Sequence, residues 1–308
     1  MNKKLDAKKT FNINCPFEIK GLTTKSELIP NLDENYFFDE KTTLAILSGF
    51  MFNNRVLIQG MHGTGKSTHI EQIAARLNWP CLRINFDSQI SRLDLVGKDV
   101  ISIKDGKQVT QFREGILPYA MRSGIALVLD EYDAIKSDVA FVIQRLLEEE
   151  GKFALLEENE IITPHENFRL FATSNTLGAG DDLGIYHGTN LINQAQMDRW
   201  NVVANLNYLS EAQEIKILQA KLPFLKTKLH ENTASMMVKM ANLTRQSFKN
   251  GDLSNLISLR TLISWGRNIE IFADVRTAFI LSFFGKVIDD EKLIIIEFYQ
   301  RVFGSEIN

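Results

Sequence analysis

The sequence predicts an α/β domain with a parallel sheet, followed by a smaller helical domain. Between about residues 36 and 209, short aliphatic runs alternate with helical stretches, which is the pattern of a parallel sheet covered by helices. From Ser210 onward, apolar residues recur at three- and four-residue intervals, as they do in amphipathic helices. The pattern therefore predicts an N-terminal arm (1–35), an α/β domain (36–209) and a helical lid domain (210–308).

Scattered charges, little periodicity and two prolines, Pro16 and Pro30, predict that the N-terminal arm is extended. Five short β-branched or aliphatic runs are the candidate strands of the sheet, and each is followed by polar or glycine-rich residues. They are residues 55–59, 81–85, 125–129, 169–173 and 201–206. In the last domain, helices are predicted over residues 211–222, 233–245, 259–271 and 291–303.

An inserted β-hairpin is predicted between the second and third strands. Apolar residues alternate with polar ones on both sides of Asp105-Gly106. Both central residues of a tight hairpin turn adopt positive φ, which an Asp-Gly pair accepts. An extra hairpin within an α/β unit is an insertion, so we expect it to project from the sheet.

The composition is that of a globular protein: of 308 residues, 44% are hydrophobic and 24% are charged. The net charge of -3 leaves no global basic field, so we expect no nucleic-acid partner. No apolar run approaches the ~20 residues needed to cross a bilayer, and no apolar segment follows the basic N-terminus as in a signal peptide. We therefore expect a cytoplasmic protein without a membrane partner. Cys15 and Cys81 predict neither a disulfide nor a redox motif.

The strongest local signal is a phosphate-binding loop that lies between a predicted strand and a predicted helix. Its residues match G-x-x-x-x-G-K-[ST]: Gly60, Met61, His62, Gly63, Thr64, Gly65, Lys66 and Ser67. The glycines let backbone N–H groups wrap phosphates, Lys66 supplies a cation, and the Ser67 hydroxyl coordinates Mg²⁺. The helix that begins near Lys66, with Thr68 in its first turn, points its positive end at the same anion. The loop predicts ATP and Mg²⁺ as ligands, with the His62 side chain pointing outward.

Two further predicted strands end in polar residues suited to phosphate chemistry. The strand at 125–129 is followed by Asp130, expected to hold the Mg²⁺ shell, and by Glu131, expected to orient and polarise the attacking water. Alone, this acidic pair could equally be a helix N-cap. Asn175, which follows the strand at 169–173, could reach the γ-phosphate and the water, although asparagine is also common in ordinary turns.

Two arginines complete the expected site. Arg199 lies just before the last predicted strand and would neutralise transition-state charge in the site of a neighbouring subunit. The alternative for Arg199 is a surface salt bridge with Asp198, which would contribute little. Arg260, at the start of a helix in the second domain, could reach the nucleotide from the lid. The order of all these motifs along the chain, from the phosphate-binding loop to Arg260, is stronger evidence than either arginine alone.

Together these motifs resemble those of the AAA+ ATPases. They correspond to Walker A (residues 60–67), Walker B (Asp130-Glu131), sensor 1 (Asn175), the arginine finger (Arg199) and sensor 2 (Arg260). The hairpin and the phrase at 196–200 are similar to those of MoxR-type ATPases and chelatase motor subunits. The phrases at 94–99 and 186–189 resemble the CobS-type ATPase subunits of aerobic cobaltochelatases. The likeness runs from about residue 30 onward, and the departures from it are small: Met61 replaces an aromatic residue and Ser174 an alanine.

The resemblance implies a ring-forming ATPase, expected as a hexamer, that drives cobalt insertion into a corrin precursor, hydrogenobyrinic acid a,c-diamide, in cobalamin biosynthesis. It also implies two partner subunits, one with a metal-dependent adhesion-type domain and a large one that binds the corrin. No transition-metal spacing occurs among the histidines and cysteines, so we do not expect tight cobalt binding to this chain. These residues are His62, His69, His165, His187, His230, Cys15 and Cys81.

Other functions use the same nucleotide residues. A MoxR-type chaperone or remodelling ATPase would apply the same ring to a protein partner. A small-molecule P-loop kinase would need no arginine from a neighbour, and the Asp130-Glu131 pair and the helical lid disfavour it. A nucleic-acid motor is disfavoured by the charge balance.

Overall fold

The computed structural model describes residues 3–87, 89–176 and 194–307. Their contacts divide into two compact units. The first holds the described residues of Met1–Asp33, Phe38–Met61 and Gly65–Leu206. The second holds Glu34–Phe37, His62–Thr64 and the described residues of Asn207–Asn308.

The described strands and helices are numbered in chain order. The strands are β1 (Lys3–Leu5), β2 (Ile19–Gly21), β3 (Val56–Gln59), β4 (Cys81–Asn85), β5 (Gly97–Lys104), β6 (Lys107–Glu114), β7 (Ala126–Asp130), β8 (Phe153–Leu155), β9 (Glu160–Ile162), β10 (Arg169–Ser174) and β11 (Val202–Asn205). The helices are α1 (Ala7–Phe11), α2 (Glu40–Phe52), α3 (Lys66–Leu77), α4 (Arg92–Val96), α5 (Ile116–Ser123), α6 (Ser137–Gln144), α7 (Gln194–Met197), α8 (Glu211–Lys221), α9 (Thr233–Asn250), α10 (Leu259–Phe272), α11 (Val275–Ser282) and α12 (Lys292–Phe303).

The first unit is built on a five-stranded sheet in the order β11-β3-β10-β7-β4. Every neighbouring pair in it is parallel. The predicted parallel sheet is therefore confirmed, and each strand begins and ends within one residue of its predicted bounds. In a parallel sheet all strands end at the same edge, so the loops that follow β3, β7 and β10 lie side by side.

Side chains of the central strands alternate between two cores, one on each face of the sheet. In β7, Leu127 and Leu129 join the core formed with α4, α5 and α6. Ala126 and Val128 join the core formed with α2 and α3. All residues of β3, β7 and β10 are buried, as expected for parallel strands with helices on both faces.

Residues 3–22 of the N-terminal segment pack on the first unit, so the predicted extended arm is wrong for these residues. Strands β1 and β2 pair in antiparallel fashion, with α1 between them in the sequence. Phe11, Ile13 and Ile19 are at most 3% exposed and belong to the core that contains α2 and α3. The scattered charges of this segment lie between apolar residues that are buried in the first unit.

The predicted inserted hairpin forms from β5 and β6. Lys104 lies opposite Lys107, and the turn residues Asp105 and Gly106 have φ of 51° and 77°. A second hairpin, β8–β9, was not predicted from the sequence. The two are joined by Arg122 of α5, which binds Glu114 of β6 at 2.9 Å and Glu160 of β9 at 2.6 Å.

The second unit is helical, as predicted, and contains α8 to α12. Its core includes the large aromatic side chains of Trp265, Phe279 and Tyr299. Two details differ from the sequence interpretation: α9 continues to Asn250, and α11 was not predicted. Among the described helices of both units, none has the length and apolar character required to span a membrane.

A buried ion pair joins α8 and α9 within the helical unit. Arg245 donates to Glu214 at 2.8 Å, and their side chains are 5% and 1% exposed. Arg245 also donates to the carbonyl of Ile257 and stacks over the ring of Tyr208 at 3.9 Å. Within the described part of the chain, Oε1 of Glu214 and Nη2 of Arg245 are buried without a hydrogen-bond partner. Each of the two buried charges therefore relies on the other for its neutralisation.

We expect Arg245→Met to destabilise the helical unit by about 3–5 kcal/mol, because it leaves the Glu214 carboxylate buried without a counter-charge. The double variant Arg245→Met/Glu214→Leu should recover most of that loss. Urea unfolding followed by circular dichroism measures both. Lys292→Gln, which breaks the exposed pair with Asp289, is the control and should cost at most ~1 kcal/mol. A single variant as stable as the double variant would contradict this prediction.

Candidate functional site

The candidate site lies where the loop at residues 60–65 connects β3 to α3. The N-cap of α3 is Gly65, with φ of 91° and no side chain to accept from the first N–H groups of the helix. These N–H groups and the positive end of the helix dipole therefore suit an anion. The predicted loop thus has the strand before it and the helix after it that phosphate binding requires.

Lys66 is the first residue of α3 and is only 7% exposed. Its amine donates to the carbonyls of Gly60 at 2.7 Å and Met61 at 3.1 Å, and to Oδ1 of Asn175 at 2.7 Å. Burial lowers the pKa of Lys66 to about 8, although the nearby charge of Asp130 opposes that shift. The structure therefore brings Asn175, from the end of β10, to the loop that follows β3.

Asp130 ends β7 and is 3% exposed. Oδ1 of its carboxylate accepts from the hydroxyls of Ser67 and Thr173, and Oδ2 accepts from the guanidinium of Arg83. These donors come from α3, β10 and β4. Mg²⁺ prefers oxygen ligands, and the adjacent hydroxyl of Ser67 and carboxylate of Asp130 fit that preference.

Glu131 directly follows Asp130 and remains exposed, with its backbone at φ of 56°. Its N–H donates to the Thr173 hydroxyl at 3.2 Å. Partial burial, followed by the charges of Asp130 and Asp133, raises the pKa of the Glu131 carboxyl. An accessible carboxylate of raised pKa at this edge of the sheet is suited to accepting a proton from water.

Asp133 holds the backbone that follows β10. Its Oδ2 accepts from the N–H groups of Asn175 at 3.0 Å and Thr176 at 2.9 Å. The residue is 1% exposed, and its Oδ1 has no hydrogen-bond partner among the described residues. Asp133 thus fixes the position of Asn175 relative to the end of β7.

Comparisons with known proteins identify both parts of the chain. Residues 55–199 match the model of the AAA domain (dynein-related subfamily), and residues 214–295 match the CbbQ/NirQ/NorQ C-terminal model. The aerobic cobaltochelatase subunit CobS from Sinorhizobium sp. is 52% identical over 98% of this chain and 91% of its own length. The chain belongs to the CobS family.

More distant similarities agree with the fold of this CobS-family chain. The denitrification regulatory protein NirQ from Stutzerimonas stutzeri is 25% identical, covering 78% of this chain and 80% of NirQ. Among solved structures, a point mutant of RuvB from Thermotoga maritima covers 86% of this chain and 76% of its own, with 15% identity and a TM-score of 0.50. At that identity the RuvB likeness supports the fold alone.

The tip of the phosphate-binding loop, residues His62–Thr64, belongs to the helical unit of this CobS-family chain. The carbonyl of His62 accepts from the Tyr208 hydroxyl at 2.6 Å, and its ring meets Phe248 edge-on at 5.4 Å. Gly63 has φ of 72°, and a Cβ at this position would collide with Ser258, the N-cap of α10. The His62 side chain therefore packs against an aromatic residue.

Arg199 and Arg260 belong to different units of the chain. Arg260 is exposed in the first turn of α10, in the helical unit. Arg199 comes shortly before β11, and its guanidinium donates to the carbonyl of Ala195. Since β11 runs parallel to β3, Arg199 lies near the amino-terminal edge of the sheet, whereas Lys66 follows the carboxyl-terminal edge. The structure does not bring Arg199 to the Lys66 of its own chain.

Three residues around the Walker motifs were not identified from the sequence: Arg83, Thr173 and Asp133. Asp133 could have been noticed, because it is a third carboxylate only three residues after Asp130. Arg83 and Thr173 become recognisable only when β4 and β10 are known to flank β7. Among the described residues, no three or more His, Cys, Asp or Glu side chains form a group that could hold a metal ion. The family phrase at 186–189, with His187, lies outside the described residues.

Proposed function

We propose that the chain is the ATP-hydrolysing motor subunit of a cobaltochelatase. In this proposal it drives insertion of cobalt into a corrin precursor, hydrogenobyrinic acid a,c-diamide, in cobalamin biosynthesis. The observation that carries the proposal is the 52% identity to the CobS subunit across 98% of the chain. The chain would act in the cytoplasm as a ring, expected as a hexamer, with an adhesion-domain subunit and a large corrin-binding subunit. No nucleic-acid or membrane partner is proposed.

ATP would bind through residues 60–68, with Mg²⁺ held by Ser67 and Asp130. Lys66 would exchange the carbonyls of Gly60 and Met61 for phosphate oxygens, since a buried ammonium gains more from an anion than from neutral acceptors. The bound Mg²⁺ would neutralise charge that develops on the phosphates. The N–H groups at the start of α3 would face the same anion.

Glu131 would act as the general base in hydrolysis, because it is exposed, its pKa is raised, and it follows Asp130 directly. Asn175 would orient the attacking water, since its side chain already lies within hydrogen-bond distance of Lys66. Arg260 would approach the nucleotide from the helical unit. Arg199 would act in the site of the neighbouring subunit.

A second candidate is a MoxR-type AAA+ chaperone or remodelling ATPase that acts on a protein partner. The observation that favours it is the hairpin β5–β6, where Ile101 and Ile103 are 73% and 76% exposed. Exposed apolar side chains on an inserted hairpin suit contact with another protein. The nucleotide chemistry of both candidates is the same, so only the partner separates them.

The proposed function is tested by combining the chain with the candidate adhesion-domain and corrin-binding subunits, the corrin substrate, Co²⁺ and ATP. Cobalt insertion is followed by the change in corrin absorbance. We expect the change only when all components are present, and not when Lys66→Ala replaces the wild-type chain. ATP hydrolysis without a change in absorbance, in a confirmed complex of all subunits, would favour the remodelling ATPase.

We expect Lys66→Ala to abolish nucleotide binding, whereas Glu131→Gln should retain binding and lose hydrolysis. Lys66 would contact phosphate in the ground state, while Glu131 would act on the water only as the bond breaks. Binding of a fluorescent ATP analogue and release of phosphate measure the two effects separately. An equal loss of ATP affinity in both variants would overturn the role given to Glu131.

We expect Arg199→Ala to reduce hydrolysis by ~10³-fold or more and to leave ATP binding nearly unchanged. In a head-to-tail ring, mixing Arg199→Ala with Glu131→Gln subunits should restore part of the activity. The Arg199→Ala subunits keep their own Walker residues, and the Glu131→Gln neighbours supply Arg199. Phosphate release from mixtures at several ratios measures this recovery.

The control for this mixture replaces Glu131→Gln by the double variant Glu131→Gln/Arg199→Ala. No subunit then supplies Arg199, so activity should stay at the level of Arg199→Ala alone. Equal activity in the two mixtures, with co-assembly confirmed by light scattering, would show that Arg199 does not act across the interface.

A further inference from the structure

Arg83 makes the closest charged contact to the Walker B carboxylate. It lies in the middle of β4, paired with Val128 of the neighbouring β7. From there its guanidinium forms an ion pair with Oδ2 of Asp130, whose side chain is only 5% exposed. The Arg83 side chain is 38% exposed, so one end of the pair faces solvent and the other is buried.

The other carboxylate oxygen of Asp130 also accepts hydrogen bonds. Oδ1 accepts from the hydroxyls of Ser67 and Thr173, so Arg83 is the one cation bound to this carboxylate among the described residues. A buried carboxylate without a counter-charge is strongly destabilising, and two hydroxyl donors do not remove that cost. Arg83 therefore stabilises the negative charge of Asp130 in the nucleotide-free chain.

We propose that Arg83 is a positioning residue that occupies Asp130 in place of the metal ion and competes with Mg²⁺ for that carboxylate. The inference rests on the proposed nucleotide site, in which Asp130 helps to hold Mg²⁺. Two cations that contact the same carboxylate repel each other. Solvent weakens the repulsion between such close charges but does not remove it. Metal binding at Asp130 therefore weakens the ion pair with Arg83.

Two other carboxylates besides Asp130 are under the influence of the Arg83 charge. Glu71 lies one turn along α3 from Ser67, and Glu131 follows Asp130. The charge of Arg83 lowers the pKa of both groups, against the larger effect of burial.

The test measures how nucleotide binding depends on free Mg²⁺. The dissociation constant of a fluorescent, non-hydrolysable ATP analogue is determined at a series of free Mg²⁺ concentrations set by a metal buffer. The midpoint is the free Mg²⁺ concentration at which half of the Mg²⁺-dependent gain in affinity is reached. We expect Arg83→Gln to lower this midpoint by about tenfold, because the variant lacks the positive charge that repels Mg²⁺. Chelation of Mg²⁺ by the analogue in solution is the same for every variant, so a difference in midpoint belongs to the protein.

Two further variants separate charge from structure. Arg83→Lys keeps the charge and should have a midpoint close to that of the wild type. Arg122→Gln removes an arginine of the same unit that pairs with Glu160, and its midpoint should not change. If Arg83→Gln does not fold, Arg83→Met provides the same comparison, because it keeps an unbranched stem without the charge.

A second measurement detects the ion pair itself. Without nucleotide and Mg²⁺, the melting temperature of Arg83→Gln should fall below that of the wild type, and saturating Mg²⁺ and analogue should reduce this difference. A purely structural role would leave the difference in place and the midpoint unchanged. An unchanged or raised midpoint in Arg83→Gln would overturn the inference while the nucleotide site stands. Failure of the wild type to bind the analogue at any Mg²⁺ concentration would instead overturn the proposed function.

Discussion

The buried carboxylate of Asp130 is the constraint on which the candidate site depends. It ends β7, an inner strand of the sheet, and receives donors from Ser67, Thr173 and Arg83, each on a different element. Leaving such a carboxylate without donors would cost several kcal/mol, so the meeting of these elements at this edge stabilises the fold. The requirement aligns the start of α3 with the middle of β4 and the ends of β7 and β10.

The strand order explains why residues far apart in sequence become neighbours. β10 lies between β3 and β7, and the three strands are parallel, so the residues after them occupy one edge. Lys66, Asn175 and Glu131 come from the segments that follow these strands. Asp133 then links the segments after β7 and β10 through the N–H groups of Asn175 and Thr176.

The features that sequence could predict are those encoded locally. The strands of the sheet were located within one residue because their apolar runs end in polar residues, and the hairpin because Asp105-Gly106 accepts positive φ. The apolar residues around Phe11 and Ile19 follow no regular period in the sequence. They are buried because they pack against α2 and α3, which a local pattern does not reveal. The contact of Arg83 with Asp130 depends on strand order, which no local pattern in the sequence contains.

The pairing of β11 with β3 links the edge of the sheet that carries the phosphate loop to the edge near Arg199. Asn205 lies opposite Gln59 at the edge that carries the phosphate loop, and Val202 lies opposite Val56 near the edge of Arg199. The N–H of Arg55 also donates to the side chain of Asn201 at 2.7 Å. Parallel strands are joined by evenly spaced hydrogen bonds along their length. The β3–β11 ladder therefore holds the segment that leads into the phosphate loop and the segment that follows Arg199 in one register, so the same strand pair fixes both positions at opposite edges of the sheet.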